Sequence, residues 1–396
     1  MNLENYQPTL DKILENNAGL DIAGVKRVLI LHEEQLSNIG DWCIRFDKLK
    51  YVQSLLANAT ITINFTAAGT AKLTDSLLKH NPHLHTITAV KWQDIDFAAY
   101  DFIIAISLNE GAILAYLHDK YGPAIQSGQF KVCVYSMSRL MLKFDGGAAP
   151  VFPVSQELIK HFEASRTPGE LFVTKEEQQW ADEWLRKKGL KENEQLYIIL
   201  DSTTRRDKLL NMQVYFEFLT ELLQQDNVKV LIYDETGMGK EEFYEEFLGE
   251  ENMDKLMFSE SLSLREDICL LASTYTRLVF GPCTGLMHCA SSIYNHYVSK
   301  GLGVEKVPVL ITYTGKYLPD EKHVYLWWEN TPLVNVLVLR NRNFKKTMLL
   351  MDDLNEQEKV TNDGLPCSEY TAALLTAFVN RKLDEKAAMK VQEPAV

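Results

Sequence analysis

Short apolar runs alternate with amphipathic helical stretches, and this alternation occurs twice along one chain. In the first half the runs lie at 27–31, 60–65, 86–90, 102–106 and 131–135. Between them, Leu49, Val52, Leu55 and Leu56 share one face of a helical stretch at 44–56, and further helices are expected at 71–79 and 110–118. A helical preface with Leu10, Ile13 and Leu14 on one face comes before them. The pattern restarts with runs at 197–200, 228–233, 256–258, 278–280 and 309–312, separated by helical stretches at 215–223, 240–248, 264–274 and 286–294. Strands that alternate with helices form a parallel sheet covered on both faces. The expected class is therefore α/β, with two Rossmann-like domains whose parallel sheets face each other across a cleft.

Between the halves, Gly146, Gly147, Pro150, Pro153 and Pro168 interrupt any period, which places a linker region there. The expected division is 1–174, 175–367, a C-terminal helix at 368–385 and a polar tail at 386–396. A chain of 396 residues fits two cores of ordinary size. Its net charge of −13 would repel a polyanion over most of the surface, so general nucleic-acid binding is not expected. Two basic clusters stand apart: Arg186, Lys187, Lys188 and Lys191, then Arg340, Arg342, Lys345 and Lys346. They read as solvated faces, with peripheral contact to an anionic inner membrane surface as the alternative. No apolar run is long enough to span a bilayer, and the start has no secretory pattern. The six cysteines are scattered and read as reduced thiols. A cytoplasmic protein is expected.

Four stretches carry candidate chemistry. In VFGPCTGLMHCASSI (279–293), Gly281 and Pro282 are read as ending a strand, and the residues after them open a helix. The unpaired N–H groups at such a helix start suit a phosphate. The stretch DSTTRRDK (201–208) follows a strand's carboxyl end, where ligands of open α/β sheets bind. There Thr203 and Thr204 can donate to phosphate oxygens, while Lys208 supplies a point charge to a leaving diphosphate. The bland alternative is a polar loop that caps the next helix. Asp234 and Glu235 follow the next strand and could accept both ribose hydroxyls, or simply cap a turn. In NIGD (38–41), Asp41 could be a general base or a helix N-cap. Cys283, His288 and Cys289 lack a fourth ligand at zinc spacing, so no metal is expected.

Together these stretches resemble the family 9 glycosyltransferases, the bacterial heptosyltransferases of lipopolysaccharide core assembly. The resemblance covers about 27–311 and implies the GT-B architecture, with acceptor bound by the first domain and nucleotide-sugar by the second. It makes Asp41 the catalytic base and matches Thr203, Thr204 and Lys208 to the phosphate-holding residues, with Asp234 or Glu235 at the ribose. The family's Asp-Thr-Gly-x-x-His signature is matched at Thr284, Gly285 and His288, but its leading Asp is Cys283. That exchange removes a charge-assisted acceptor worth roughly 1.5–3 kcal/mol in a buried site. The aromatic residue the family carries soon after the lysine is also missing, with Leu210 and Asn211 in its place.

The resemblance implies inverting transfer of a heptose-like sugar from a nucleotide-diphosphate donor, ADP-linked, to a hydroxyl of a lipopolysaccharide core or related glycan or glycolipid. Asp41 would take the acceptor proton, and Lys208 with the N–H groups of Thr284 and Gly285 would steady the diphosphate as its charge grows. No cofactor is implied beyond the nucleotide-sugar itself. The alternatives are a GT-B-shaped binding or scaffold protein without turnover, favoured by Cys283, and a transferase that uses a UDP-sugar.

Overall fold

The computed structural model describes residues 4–33, 38–66, 68–138, 150–153, 167–234, 237–316, 327–360 and 364–391. The chain divides into two compact units, Met1–Gly169 and Glu170–Val396. The first contains α1 (Gln7–Ala18), β1 (Arg27–His32), α2 (Ile39–Cys43), α3 (Phe46–Leu55), β2 (Thr60–Phe65), α4 (Ala68–Leu78), β3 (Thr86–Thr88), β4 (Phe102–Ile106), α5 (Glu110–Gln126) and β5 (Cys133–Ser136). Its strands pair in parallel in the order β3-β2-β1-β4-β5. Strand β1 is central, and its run from Val28 to Leu31 is buried, as a strand covered on both faces must be.

Helix α1 is part of this core: Leu10 and Ile13 pack with Leu29, Leu31, Ile113 and Leu117. Asn17 at its end donates to the Val134 carbonyl (2.8 Å) and accepts from the Val134 N–H (3.0 Å). The amide side chain thereby satisfies the open edge of β5, which would otherwise expose unpaired backbone groups.

The second unit contains α6 (Lys175–Lys187), β6 (Gln195–Ile199), α7 (Met212–Leu223), β7 (Val228–Ile232), α8 (Lys240–Leu248), α9 (Glu250–Met253), β8 (Leu256–Phe258), α10 (Leu264–Leu271), β9 (Thr276–Pro282), α11 (Gly285–Ser299), β10 (Val309–Thr314), β11 (Val334–Arg342), β12 (Lys345–Leu350), α12 (Glu356–Val360) and α13 (Ala372–Val391). The sheet order is β12-β11-β10-β9-β6-β7-β8. In each sheet the chain starts at a central strand, builds outward to one side, then returns to the other side of that first strand. The reversal lies between β1 and β4 in one sheet and between β6 and β9 in the other. Open α/β sheets bind ligands at the carboxyl ends of the strands at such a reversal.

Three differences from the sequence reading have physical causes. Strand β9 runs through Gly281 and Pro282 instead of breaking there, with Gly281 opposite Thr312 and Pro282 opposite Tyr313. A Cβ on Gly281 would lie 2.5 Å from Leu200 Cβ and 2.6 Å from the Leu200 carbonyl oxygen, so glycine permits the close approach of two chain segments. Second, the sheet is not wholly parallel: β11 and β12 form an antiparallel hairpin at its edge, absent from the expected series. Its turn residues Asn343 and Phe344 both have positive φ (50° and 61°), which matches the twist of a tight hairpin. Third, the last helix begins at Ala372 and continues to Val391, so residues 386–391 are helical and not a loose tail.

Candidate functional site

The loops after β6 and β9 lie side by side at the second unit's reversal point, because those strands are neighbours. The β6 loop carries Thr203, Thr204 and Lys208; the β9 loop carries Cys283 and Thr284 and leads into α11. Helix α11 buries Leu286, Met287, Cys289, Ala290 and Ile293, which fixes its axis against the sheet. Thr284 is its N-cap residue but its side chain makes no capping hydrogen bond. The N–H groups of the first helical turn, Gly285 included, are therefore not capped by the Thr284 side chain, at the end of the helix that carries about half a positive charge.

Lys208 reaches this point from the other loop. Its Nζ donates to the Cys283 carbonyl oxygen at 3.3 Å and lies 4.7 Å from the centre of the Trp327 ring. The contact to Cys283 is through its backbone, so the thiol does not set it; Cys283 itself is buried. His288, one turn into α11, is buried and stacks on Trp328 with ring centres 3.9 Å apart and planes 11° from parallel. Burial first, and the positive charge of Lys208 second, push its pKa down to about 3. The imidazole is thus neutral near pH 7, and the cationic character of the site comes from Lys208 and the helix.

Thr203 is half-buried and Thr204 exposed. The loop that holds them is anchored at its start by Asp201. Lys240 Nζ donates to Asp201 Oδ1 (2.7 Å) and Ser202 Oγ (3.0 Å), and also to the Tyr233 carbonyl. Tyr244 donates its hydroxyl hydrogen to Asp201 Oδ2 (2.8 Å), so Tyr215, 2.5 Å from the Tyr244 oxygen, must donate to it in turn. Burial and the Asp201 charge hold both phenols well above their ordinary pKa, which keeps them as donors. Further along the loop, Arg205 and Asp207 form an ion pair at 2.6 Å.

Asp234 follows β7 at the same sheet edge but is fully buried. Its Oδ1 accepts from the Met238 N–H (2.9 Å) and its Oδ2 from the Lys240 N–H (3.3 Å). In this structure it serves its own loop, the turn-capping role weighed against ribose binding. Glu235 lies outside the described residues.

In the first unit, Asp41 sits in α2, beyond the carboxyl end of β1 at that sheet's reversal point. Asn38 takes the N-cap position, so Asp41 is not the cap; it stands in the first turn and is half-buried. Asn38 Nδ2 donates to Asp41 Oδ2 at 3.1 Å, and among the described residues Oδ1 has no partner. Behind it, Trp42 is fully buried between His32 (4.8 Å between ring centres) and Phe65 (5.0 Å), which anchors this short helix to the sheet. Glu33, a second carboxylate at the end of β1, has both oxygens engaged, by Trp92 Nε1 (2.8 Å) and by the Ser107 hydroxyl. Of these two carboxylates, Asp41 is the one with an oxygen that has no partner among the described residues.

Sequence reasoning missed Trp327, Trp328, Asp201, Lys240 and Glu33. Asp201 was in view as the first residue of its loop, but its partners Lys240 and Tyr244 come from a helix 39 or more positions away. Among the described residues no group of three or more His, Cys, Asp and Glu is placed to hold a metal ion, and no helix is long and apolar enough to cross a membrane. The second basic cluster is largely tied to the protein's own acids: Arg340 and Arg342 to Glu358, and Lys346 to Glu369.

Comparison with known proteins supplies the frame for these two sites. No protein-family profile matches the sequence, and no curated protein matches it. Solved structures do. The glycosyltransferase of family 9 from Veillonella parvula aligns over 92% of this chain and 98% of its own, with a TM-score of 0.58 and 12% identity. The E. coli ADP-heptose lipopolysaccharide heptosyltransferase II aligns over 91% of this chain and 99% of its own, with a TM-score of 0.55 and 12% identity. The chain has the GT-B fold of the family 9 glycosyltransferases. That likeness spans both units and so includes the β1–α2 region as well as the β6 and β9 loops. At this identity it establishes architecture, and function has to be argued from the site.

Proposed function

We propose that this protein is an inverting glycosyltransferase that moves a heptose-like sugar from an ADP-linked donor to a hydroxyl of a lipopolysaccharide core or related glycolipid. The observation that carries the reading is the convergence of the Lys208 ammonium and the N-terminus of α11 on the Cys283–Thr284 junction. Two positive groups brought together at a sheet's reversal point suit a diphosphate. The fold match to an ADP-heptose-dependent transferase supports the choice of nucleotide and sugar.

In this reading Lys208 and the α11 N–H groups stabilise the diphosphate as it leaves, and Thr203 and Thr204 add hydroxyl and amide donors. These groups act where negative charge develops, which is where preorganised donors lower a barrier most. Asp41 Oδ1 accepts the proton of the acceptor hydroxyl as that oxygen attacks the anomeric carbon on the face opposite the nucleotide. Neutral His288 adds no competing positive charge and can donate or accept one hydrogen bond. The ribose contact is assigned to Asp234 or Glu235, the acids that follow β7; Asp234 already accepts the Met238 and Lys240 N–H groups. A cytoplasmic location fits six free cysteines that are all buried. Contact with the inner membrane surface draws no support from the second basic cluster, which is mostly neutralised by Glu358 and Glu369.

The test is incubation with ADP-heptose and truncated lipopolysaccharide core, with product followed by mass spectrometry. Transfer by the wild type and loss of roughly 10²–10⁴-fold in rate for Asp41→Asn is the expected result. Consumption of a UDP-sugar instead would move the assignment to another donor class. Tight ADP binding without any transfer to a panel of core acceptors would favour a scaffold that has lost turnover, the reading to which Cys283 points.

A further inference from the structure

The family resemblance leads one to expect an aromatic residue shortly after the lysine, and Leu210 and Asn211 stand there instead. The structure brings an aromatic ring to the lysine from a distant part of the chain. We infer that Trp327 is a positioning residue for Lys208: its ring face holds the ammonium against the Cys283 carbonyl, beside the N-terminus of α11, so that the cation is in place before a diphosphate arrives. This inference rests on the reading of that region as the diphosphate site.

An ammonium beside the positive end of a fifteen-residue helix is opposed by the helix's own field. A lysine has four rotatable bonds and, left alone, would turn into solvent. Contacts that oppose that escape include the hydrogen bond to the Cys283 carbonyl oxygen at 3.3 Å and the Trp327 ring, its centre at 4.7 Å. The negative ring face attracts the cation without using any of its three N–H donors. One donor goes to the Cys283 carbonyl, and the ring contact takes up no donor. Trp327 is half-buried, and its neighbour Trp328 is buried on His288, so the pair is anchored to α11 itself. The ring that steadies the lysine is therefore tied to the helix whose terminus the lysine must approach.

A positioning role differs from two simpler ones, base stacking and general packing, in what a mutant cycle shows. Affinities for ADP and for inorganic pyrophosphate are measured by calorimetry on the wild type, Trp327→Leu, Trp327→Phe, Lys208→Ala and the Trp327→Leu/Lys208→Ala double variant. Trp327→Leu should weaken both ligands by about three- to ten-fold, the range of a partly desolvated cation–π contact. Trp327→Phe, with a weaker but present ring face, should recover part of that loss. In the Lys208→Ala background the Trp327→Leu change should have no further effect, because the group it positions is gone. Full additivity of the two changes would overturn the proposal, as would a loss for ADP with none for pyrophosphate, which would make Trp327 a platform for the base. A wild type that binds neither ligand would overturn the diphosphate site and this inference with it. Thermal midpoints of each variant separate loss of fold from loss of affinity, and Trp327→Phe keeps the test open if Trp327→Leu does not fold.

Discussion

Lys208 donates to the backbone carbonyl of Cys283, and the thiol of Cys283 takes no part in that contact. The residue at which this chain departs from the signature of the family it resembles thus contributes its peptide group to the site whatever its side chain. Cys283→Ala should leave ADP affinity within about two-fold, since only a small buried side chain is trimmed. Lys208→Ala should weaken ADP by at least about ten-fold, the lower end for loss of a hydrogen bond to a charged group. Calorimetric titration of both variants distinguishes the two; a large loss for Cys283→Ala would mean that the thiol itself contacts the ligand.

His288 gives the fold a pH dependence of definite sign. Its folded-state pKa of about 3 lies below the unfolded value near 6.5, so the unfolded chain binds a proton that the folded chain excludes. The resulting stabilisation is fully present above about pH 6.5 and is lost as pH falls toward 3, by at most about 1.4 kcal/mol per pH unit. His288→Phe keeps a ring against Trp328 without the titration. Urea unfolding between pH 7 and 5.5, above most of the carboxylate titration, should show a steeper decline for the wild type than for this variant. Parallel pH curves would contradict the assignment of a neutral, buried imidazole.

Gly281 holds β9 and the β6 loop at their separation. Gly281→Ala would place a methyl group 2.5 Å from Leu200 Cβ, a distance that forces a segment to move. Overpacking of this kind typically costs about 1–3 kcal/mol. Because Leu200 leads directly into Asp201 and the threonines, ADP affinity should fall together with the thermal midpoint. A variant with unchanged midpoint and affinity would show that the approach of the two strands is looser than described.

The Asp201–Lys240 pair should behave as a coupled unit. Both side chains are mostly buried, at 14% and 18% exposure, and Asp201 also receives Tyr244. Lys240→Met leaves an uncompensated carboxylate and should destabilise by roughly 2–3 kcal/mol. Adding Asp201→Asn removes the stranded charge, so the double variant should be less impaired than the sum of the singles. Chemical denaturation of the four proteins in the cycle tests this; additive losses would remove the network's claim to position the phosphate loop.

How far these features can be seen in the sequence depends on how local their causes are. Strands β2, β4 and β8 and helix α8 appear at their actual limits because apolar period and flanking breakers are local signals. The run through Gly281 and Pro282 misleads, since both residues usually end strands; here the glycine answers a contact with Leu200 that no local pattern records. Helix α5 continues past Pro123 to Gln126, where the sequence reading stopped at His118. The hairpin of β11 and β12 was overlooked although its apolar run is readable, because the α/β series looked complete without it. At the candidate site, Asp41, Lys208 and the start of α11 follow strands and were found from that position. Trp327 was not, because its relation to Lys208 exists only in three dimensions.

The diphosphate site is tested most directly by thermal shift of the wild type against ADP, UDP, GDP and CMP, with Lys208→Ala and Asp41→Ala beside it. A nucleotide at about 100 times its dissociation constant should add roughly 2.7 kcal/mol of stability. The expected result is stabilisation by ADP above the other nucleotides, retained in Asp41→Ala and lost in Lys208→Ala. No shift with any nucleotide at millimolar concentration, or an ADP shift that survives Lys208→Ala intact, would contradict it.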